Sequence, residues 1–319
     1  MQKVIGVGET LFDIVFKDNR PSEGVPGGSI FNAMVSLGRL NVPAYFISEV
    51  GNDHIGKMII KFMQENNLPT KSVDIFPDGE TAISLAFLDS NSDAQYSFYT
   101  KYPNTRLSVV WPKIDPDDIF IMGSFYAIDP LIRDKIIELL DYAKEHKTII
   151  YYDPNFRKSH SSKAIQMMPS LLENFEYADI VRGSKEDFLY MFGEMSPEKI
   201  YHNKIRLYCP IFIYTSGAGG VDLFTPEGQR HYNAEKISPI STIGAGDNFN
   251  AGVIYGIISN GILKEELKSL TLNEWDKIIT CGISFAKEVC CSYDNYIGNE
   301  YAKKHALTQN ADNNNSATQ

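Results

Sequence analysis

The stretch TIGAGDNFNAG, at residues 242–252, places three glycines and one acid where a turn leads into a helix. The backbone N–H groups of Gly244, Ala245 and Gly246 are expected to converge there, and the dipole of the following helix, from 248 to about 258, adds to them. Such a turn forms a cradle for phosphate. It is not a Walker A loop, because no Lys-Ser/Thr pair follows it, and it does not fit G-x-G-x-x-G.

The acid in this stretch, Asp247, allows two interpretations. A carboxylate near a helix N-terminus is a common cap, since the helix dipole favours negative charge. A carboxylate beside a phosphate cradle also repels phosphate, which makes sense if Asp247 accepts a proton from an attacking hydroxyl while the N–H groups stabilise the transferred phosphoryl. On these residues alone the two interpretations are equally good.

The bulk composition describes a globular protein of 319 residues with a net charge of −10. Without a basic run, this charge argues against nucleic acid and anionic membranes as partners. The four cysteines, at 209, 281, 290 and 291, have no zinc or C-x-x-C spacing, so we expect reduced thiols. The first residues do not form a signal peptide, and no apolar run reaches the roughly 18 residues that span a bilayer. We therefore expect a cytoplasmic protein.

Strand-like apolar runs alternate with segments of helical periodicity over most of the chain. This alternation predicts a doubly wound, mainly parallel sheet with helices on both faces and a ligand site at the carboxyl ends of the strands. The predicted strands are 3–9, 44–51, 118–124, 148–154, 178–184 and 210–217, and the predicted helices are 31–40, 57–67, 130–146 and 162–175.

Two stretches interrupt this alternation, at about 12–26 and 80–108. The first has few helix signals, and the second is interpreted as two strands around the polar turn DSNSD. Together they predict a small antiparallel sheet that forms a lid over the site. If its outer face is apolar, a homodimer through the lid would bury it. We expect one domain over 1–308 and a disordered, polar tail at 309–319.

Three further segments carry candidate ligand groups. In GGSIFNAMVSLGRL (27–40), Gly27 and Gly28 allow close approach of a ligand, whereas Asn32 alone is best interpreted as a helix N-cap. In DPNFR (153–157), Asn155 lies at a strand end, and Arg157 either neutralises phosphate or forms a surface salt bridge. YTSGAGGVDLF (214–224) is either a hairpin turn or a loop against a nucleotide.

Several other chemistries lack support. The six histidines show no metal or triad spacing, and no serine or cysteine lies in a nucleophile elbow. GVGE at 6–9 lacks the third glycine of the dinucleotide-binding motif. The strand-helix alternation is therefore the only feature that supports an NAD-dependent oxidoreductase.

In this order, GGSIFNAMVSLGRL, DPNFR, TSGAGG and STIGAGDNFNAG resemble the motifs of the PfkB/ribokinase family of sugar kinases, over about residues 3 to 300. The resemblance implies a ribokinase-like three-layer α/β/α sandwich with a mainly parallel central sheet and a small β-sheet lid. It also implies transfer of a phosphoryl group from ATP to a sugar hydroxyl, with Mg²⁺ as helper ion.

The resemblance also assigns roles to residues. It implies that Asp247 is the catalytic base, that Gly244, Ala245 and Gly246 form the anion hole, and that Arg157 lies near the transferred phosphate. The remaining positions are implied to contact the sugar (Asp13, Gly27, Gly28, Asn32 and Asn155) or the nucleotide (Thr215, Gly217, Gly219 and Ser184).

Two departures from the family pattern concern ions. Ser241 occupies a position where the family usually has Asp, which in ribokinase-like members helps to hold a monovalent cation, so activation by potassium stays open. The N-x-x-E motif of the family, linked to Mg²⁺ and phosphate, aligns with residues 184–187, where Ser184 replaces Asn and Asp187 replaces Glu. Glu186 and Asp187 are assigned to the metal through water, since Mg²⁺ commonly keeps several waters.

The substrate is predicted less sharply than the reaction. DPNFR and the opening GETLFD are similar to fructokinase-type members, and a 2-keto-3-deoxygluconate kinase or a ribokinase would use the same core. A phosphofructokinase would need extra cations, for which Lys101 and Arg106 in the predicted lid are candidates. The altered ion motifs also leave open a silent sugar- or nucleotide-sensing protein of the same fold.

Overall fold

A computed structural model describes residues 1–88 and 94–307. The predicted turn DSNSD, at 89–93, and the predicted tail, at 309–319, lie outside the described residues.

Thirteen strands in the described residues form two sheets. The strands are β1 (Val4–Val7), β2 (Leu11–Lys17), β3 (Arg20–Gly27), β4 (Ala44–Gly51), β5 (Val73–Phe76), β6 (Glu80–Leu88), β7 (Ala94–Lys101), β8 (Ile119–Gly123), β9 (Ile149–Asp153), β10 (Ile180–Ser184), β11 (Ile211–Thr215), β12 (Val221–Thr225) and β13 (Gly228–Tyr232).

The larger sheet has nine strands in the order β13-β12-β11-β10-β9-β8-β1-β4-β5. The pairs from β11 to β5 are all parallel, and β12 and β13 add antiparallel strands at one edge. Parallel strands are buried on both faces, which explains why every residue of β1, β8 and β9 is buried and why only Asp153, at the end of β9, is charged. The mainly parallel sheet that the alternation predicted is confirmed.

Helices cover both faces of this sheet. They are α1 (Ser29–Arg39), α2 (His54–Glu65), α3 (Arg133–Glu145), α4 (Ala164–Tyr177), α5 (Lys185–Phe192), α6 (Pro197–Ile200), α7 (Ala245–Ser259), α8 (Leu272–Cys290) and α9 (Asn299–His305). None of the helices within 1–88 and 94–307 is long and apolar enough to cross a membrane.

Two hydrophobic cores separate the layers. Alternate residues of each strand point to opposite faces, so Ile119 and Ile121 of β8 join one core while Phe120 and Met122 join the other. The first core contains buried residues of α1, α2, α7 and α8, and the second contains those of α3, α4 and α5. The three-layer α/β/α sandwich is therefore confirmed.

The smaller sheet has the order β3-β2-β6-β7 and forms the lid. Its middle pair, β2 and β6, is parallel, and each outer strand is antiparallel to its neighbour. The lid is thus mixed rather than purely antiparallel. Its last strand ends at Lys101, so residues 102–108 of the predicted lid lie outside it.

Candidate active site

The glycine turn of TIGAGDNFNAG leads directly into α7, which begins at Ala245, three residues earlier than predicted. Gly244 is the residue before the helix and adopts a left-handed conformation with φ of 77°. A Cβ there would lie 2.7 Å from the carbonyl oxygen of Asn295. The Asn248 side chain fixes the turn from inside, since its Nδ2 donates to the Gly244 carbonyl at 2.8 Å and to that of Asn295 at 2.7 Å.

Residues 295–297 support both helices of the site. Besides the contact of Asn295 with the cradle, the backbone N–H of Ile297 donates to Ser36 Oγ at 3.1 Å, and Arg39 Nη1 donates to the Ile297 carbonyl at 2.7 Å. The hydroxyl of Tyr296 donates to the carbonyl of Pro26 at the end of β3. This segment therefore ties α1, α7 and the base of the lid together.

Asp247 is the third residue of α7, and its carboxylate points to α1 rather than to its own helix. Oδ1 accepts a hydrogen bond from Ser29 Oγ at 2.9 Å, and Oδ2 accepts one from Asn32 Nδ2 at 2.8 Å. The residue in the N-cap position is Gly244. Burial raises the pKa of Asp247, and the hydrogen bonds from Asn32 and Ser29 and the charge of Arg157 oppose that increase.

The start of α1 differs from the prediction. The helix begins at Ser29, and Gly28 precedes it with φ of 133°, where a Cβ would lie 2.2 Å from the carbonyl oxygen of Glu9. Asn32 is thus the fourth helical residue, and its interpretation as an N-cap is wrong. Its Oδ1 is buried without a hydrogen-bond partner among the described residues, which leaves an acceptor for the hydroxyl of a ligand.

Asp13 brings the lid to this site. It lies in β2, is buried, and accepts a hydrogen bond from Ser84 of β6. A Cβ on Gly27 would lie 2.1 Å from Asp13 Oδ2, so any other residue there would displace the Asp13 carboxylate. Burial raises the pKa of Asp13 to about 6, and the negative charge of Asp247 contributes to the increase. The structure therefore brings Asp13, Gly27, Gly28, Asn32 and Asp247 together.

The DPNFR segment follows β9. Asp153 is completely buried, and its Oδ1 accepts from the backbone N–H of Asn155 at 3.0 Å, which shapes the turn. Asn155 has φ of 38° and is partly buried. Arg157 is exposed, and its positive charge opposes the increase in the pKa values of both Asp13 and Asp247, so its guanidinium lies within electrostatic range of both carboxylates.

The predicted nucleotide side lies at the ends of β10 and β11. Gly217–Gly219 form a turn between the antiparallel strands β11 and β12, so this segment is a hairpin. Thr215 ends β11, and its Oγ1 accepts a hydrogen bond from Arg182 Nη2 at 2.6 Å. A role of these residues, and of Ser184, toward a nucleotide stays a prediction.

The residues assigned to a metal have different environments. Ser184 and Asp187 form a capping box at the start of α5, in which Asp187 Oδ2 accepts from the Ser184 N–H at 2.6 Å. Burial raises the pKa of Asp187 to about 6. Glu186 is exposed. Across residues 1–88 and 94–307, no group of three or more His, Cys, Asp or Glu side chains is arranged to hold a metal. Glu186 fits Mg²⁺ only as one carboxylate beside substrate phosphates.

The two cations proposed for a sugar phosphate are both engaged. Lys101 pairs with Glu80 on the exposed surface at 2.7 Å. Arg106 lies outside the lid sheet and is buried between Glu49 and Asp129, with Nε donating to Glu49 Oε1 at 2.8 Å and Nη1 donating to Asp129 Oδ2 at 2.7 Å. The position of Arg106 in the lid was therefore predicted wrongly.

Two functional candidates were missed from the sequence. Ser29 contacts Asp247 across 218 residues of chain, and Arg182 of β10 contacts both Asp153 and Thr215. Ser29 lies inside the GGSIFN motif, and its side-chain hydroxyl could have marked it as a hydrogen-bonding residue of the site. An arginine within an otherwise apolar strand was the signal for Arg182, because an unpaired charge is costly in a parallel sheet.

Comparison with known proteins decides the family. A family model described as pfkB family carbohydrate kinase matches residues 1–269. This protein belongs to the PfkB family of carbohydrate kinases. The PfkB protein is 27% identical over 282 residues to probable fructokinase-6, chloroplastic, of Arabidopsis thaliana, across 82% of this chain and 72% of that protein.

Two solved structures share the fold of this PfkB protein. A fructokinase from Vibrio cholerae O395, in fructose, ADP and calcium ion bound form, has a TM-score of 0.79 at 19% identity, over 96% of this chain and 99% of that one. An aminoimidazole riboside kinase from Salmonella enterica, complexed with aminoimidazole riboside and an ATP analog, has a TM-score of 0.77 at 20% identity, over 96% and 100%. At these identities the likeness shows the fold alone.

Proposed function

We propose that this protein is an ATP-dependent fructokinase, with Asp247 as the general base and the backbone of residues 244–246 as the anion hole. The observation that carries the proposal is the position of Asp247. Its carboxylate lies in the first turn of α7, is held from α1 by Ser29 and Asn32, and follows the glycine cradle directly.

The proposed reaction moves one phosphoryl group and one proton. A sugar hydroxyl gives its proton to Asp247 while its oxygen bonds to the γ-phosphorus, and the bond from that phosphorus to the oxygen of ADP breaks. The N–H groups of the cradle stabilise charge on the transferred phosphoryl, and Arg157 adds positive charge nearby. The raised pKa of Asp247 makes its carboxylate a stronger base than an exposed one.

Mg²⁺ would neutralise charge on the nucleotide phosphates, with the exposed Glu186 as the candidate carboxylate and Asp187 beside it in the sequence. Ser241 carries no charge, and its Oγ accepts from the backbone N–H of Ile243 at 3.2 Å. We propose that activity does not depend on potassium, because Ser241 cannot supply the charge that the family uses at this position.

The charges around the sugar-binding residues favour an uncharged sugar. Burial and the charges of Asp247 and Glu9 raise the pKa of Asp13, so two further carboxyl groups lie within electrostatic range of Asp13. The candidate cations Lys101 and Arg106 are paired with carboxylates. A sugar phosphate or a sugar acid such as 2-keto-3-deoxygluconate would be repelled by this arrangement, whereas fructose or ribose would not.

The test is ADP release with a panel of fructose, ribose, 2-keto-3-deoxygluconate and fructose 6-phosphate, each with sodium or potassium. We expect the highest kcat/KM with fructose, equal in either salt. Preference for one of the two anionic substrates would contradict the charge argument. Binding of sugar and ATP without ADP release would instead support a catalytically silent sensing protein. The departures from the family motif at residues 184–187 are the reason for considering that alternative.

We further propose a homodimer through the lid. Phe87 is 36% exposed and Tyr99 is 60% exposed, so the lid carries apolar surface that a second lid would cover. Sedimentation equilibrium should give twice the monomer mass of 35.9 kDa, and Tyr99→Lys should reduce it to the monomer mass. A monomer for the unmodified chain would remove the proposal.

A further inference from the structure

Arg182 is a buried cation directly beneath the glycine cradle. It is 6% exposed and extends from β10 on the sheet face that carries α7. A Cβ on Gly246 would lie 3.1 Å from both terminal nitrogens of Arg182, so the guanidinium packs closely against the first turn of α7. The guanidinium carbon also lies 5.6 Å from the ring centre of Phe249 in the next turn.

The two terminal nitrogens of Arg182 join separate parts of the site. Nη1 donates to Asp153 Oδ2 at 2.7 Å, at the end of β9, and Nη2 donates to Thr215 Oγ1 at 2.6 Å, at the end of β11. Asp153 Oδ2 also accepts from Asn250 Nδ2 of α7 at 2.7 Å. Arg182 therefore connects the cradle helix to the predicted nucleotide side. Its Nε is buried without a partner among the described residues.

We propose that Arg182 is a positioning residue for phosphoryl transfer, which holds Thr215 and α7 in register and cancels the charge of Asp153 behind Asp247. The inference rests on the proposed kinase function. Arg182 does not touch the reacting atoms in this proposal, because its two terminal nitrogens donate to Asp153 and Thr215. It acts through them.

The charges that face Asp247 make this role measurable. Asp13 of β2 and Asp153 of β9 add negative charge near Asp247, and Arg157 adds positive charge; Ser29 and Asn32 of α1 donate hydrogen bonds. Arg182 forms an ion pair with Asp153, so removing its charge exposes Asp247 to an uncompensated carboxylate. The pKa of Asp247 would then rise, because a nearby negative charge disfavours ionisation.

The experiment compares Arg182→Gln with Arg182→Lys. The glutamine variant keeps a hydrogen-bond donor for Asp153 but loses the positive charge. The lysine variant keeps the positive charge but cannot donate to Asp153 and Thr215 from two separate nitrogens. For each, the pH dependence of kcat, the KM for sugar and ATP, and the melting temperature are measured. Arg230→Met is the control, because Arg230 lies on the edge strand β13 and pairs with Asp276 near the surface.

For Arg182→Gln we expect kcat at neutral pH to fall about 10- to 100-fold, somewhat less than on loss of a direct oxyanion donor. The acidic limb of its kcat profile should move upward by roughly 0.5 to 1 pH units, as expected for a nearby unpaired carboxylate. For Arg182→Lys the limb should stay in place, with a smaller loss of kcat.

Two results would overturn the inference. One is a kcat for Arg182→Gln within threefold of the unmodified enzyme. The other is a loss of activity in both variants that parallels the fall in melting temperature, while the acidic limb of the kcat profile does not move. A residue with a purely structural role would behave in this way. Failure of the unmodified protein to release ADP with any sugar would instead contradict the proposed function, so the two failures are distinguishable.

Discussion

Asp247 lies in the first turn of α7, where any carboxylate interacts favourably with the helix dipole. The dipole alone does not explain its contacts, because both of its oxygens accept hydrogen bonds from α1. Those bonds fix the direction of the carboxylate. A base must be held within reach of the hydroxyl it deprotonates, and the two donors of α1 provide that constraint.

Replacing Asp247 by Asn removes the proposed proton acceptor and keeps the shape of the side chain. We expect kcat to fall by about 10²- to 10⁴-fold, the range for loss of general base catalysis, with little change in ATP affinity. The measurement is steady-state ADP release together with ATP binding by calorimetry. The matched control is Asp134→Asn, because Asp134 also lies in a first helical turn but is exposed. Equal losses in the two variants would refute the assignment.

At this scale the sequence predicted residues with local signals better than those defined by distant contacts. Asp247, Gly27 and Gly28 follow from short motifs and are found together. Ser29 and Arg182 were missed because their partners lie far along the chain, which residue spacing does not reveal. The N-cap interpretation of Asn32 failed for the same reason, since its partner is on another helix.

The pairing of α7 with α8 determines the position of the cradle helix. Glycines allow the two backbones to approach closely, since a Cβ on Gly252 would lie 2.5 Å from the Cys281 carbonyl oxygen and 2.7 Å from the Gly282 Cα. These contacts involve backbone atoms, which cannot move aside as a side chain can. The helix that carries Asp247 is therefore held by a close helix–helix contact with α8.

We expect Gly252→Ala to lower the free energy of unfolding by about 1–3 kcal/mol or more, because an added methyl group overpacks this contact. Alanine has a higher helix propensity than glycine, by about 1 kcal/mol. A loss of stability would therefore come from steric crowding between α7 and α8. Urea unfolding measures the effect, with Ser259→Ala on the exposed end of the same helix as control. A gain of stability in Gly252→Ala would show that the helices are less closely packed.

Elements were predicted well where they are buried on both faces. The six predicted strands correspond to β1, β4, β8, β9, β10 and β11, within a few residues at each end. The edge strand β13 is mostly exposed and polar, so it carries no apolar run, and it was not predicted. The long helix α8 was also missed from the sequence, although its capping box of Thr271 and Glu274 is a local signal.

For the whole molecule, the connection between lid and core depends on Arg106. The chain leaves β7 at Lys101, and Arg106 then inserts between Glu49 of β4 and Asp129 after β8. Its guanidinium lies 3.8 Å from the ring centre of Tyr102, which adds a cation–π contact. The lid is thus anchored by a buried ion pair on the side where its chain returns to the core.

Replacing Arg106 by Met would leave the buried Glu49 without its cation. We expect a loss of about 3–5 kcal/mol of unfolding free energy, the usual cost of breaking a buried pair from one side. Arg230→Met, at a partly exposed pair, should cost less than about 1 kcal/mol. Urea unfolding of both variants checks this. Equal costs would mean that the anchor contributes no more than a surface pair.

Residues 295–297 have a consequence for the order in which this protein becomes active. A ribosome completes α1 and α7 well before it reaches Asn295, whose carbonyl fixes the Gly244 turn, and Ile297, which binds α1. The nascent chain can therefore contain every motif of the family, and all of the matched residues 1–269, while the cradle still lacks its support. Phosphoryl transfer should begin only after these three residues leave the ribosome, which delays ATP consumption until the fold is nearly complete.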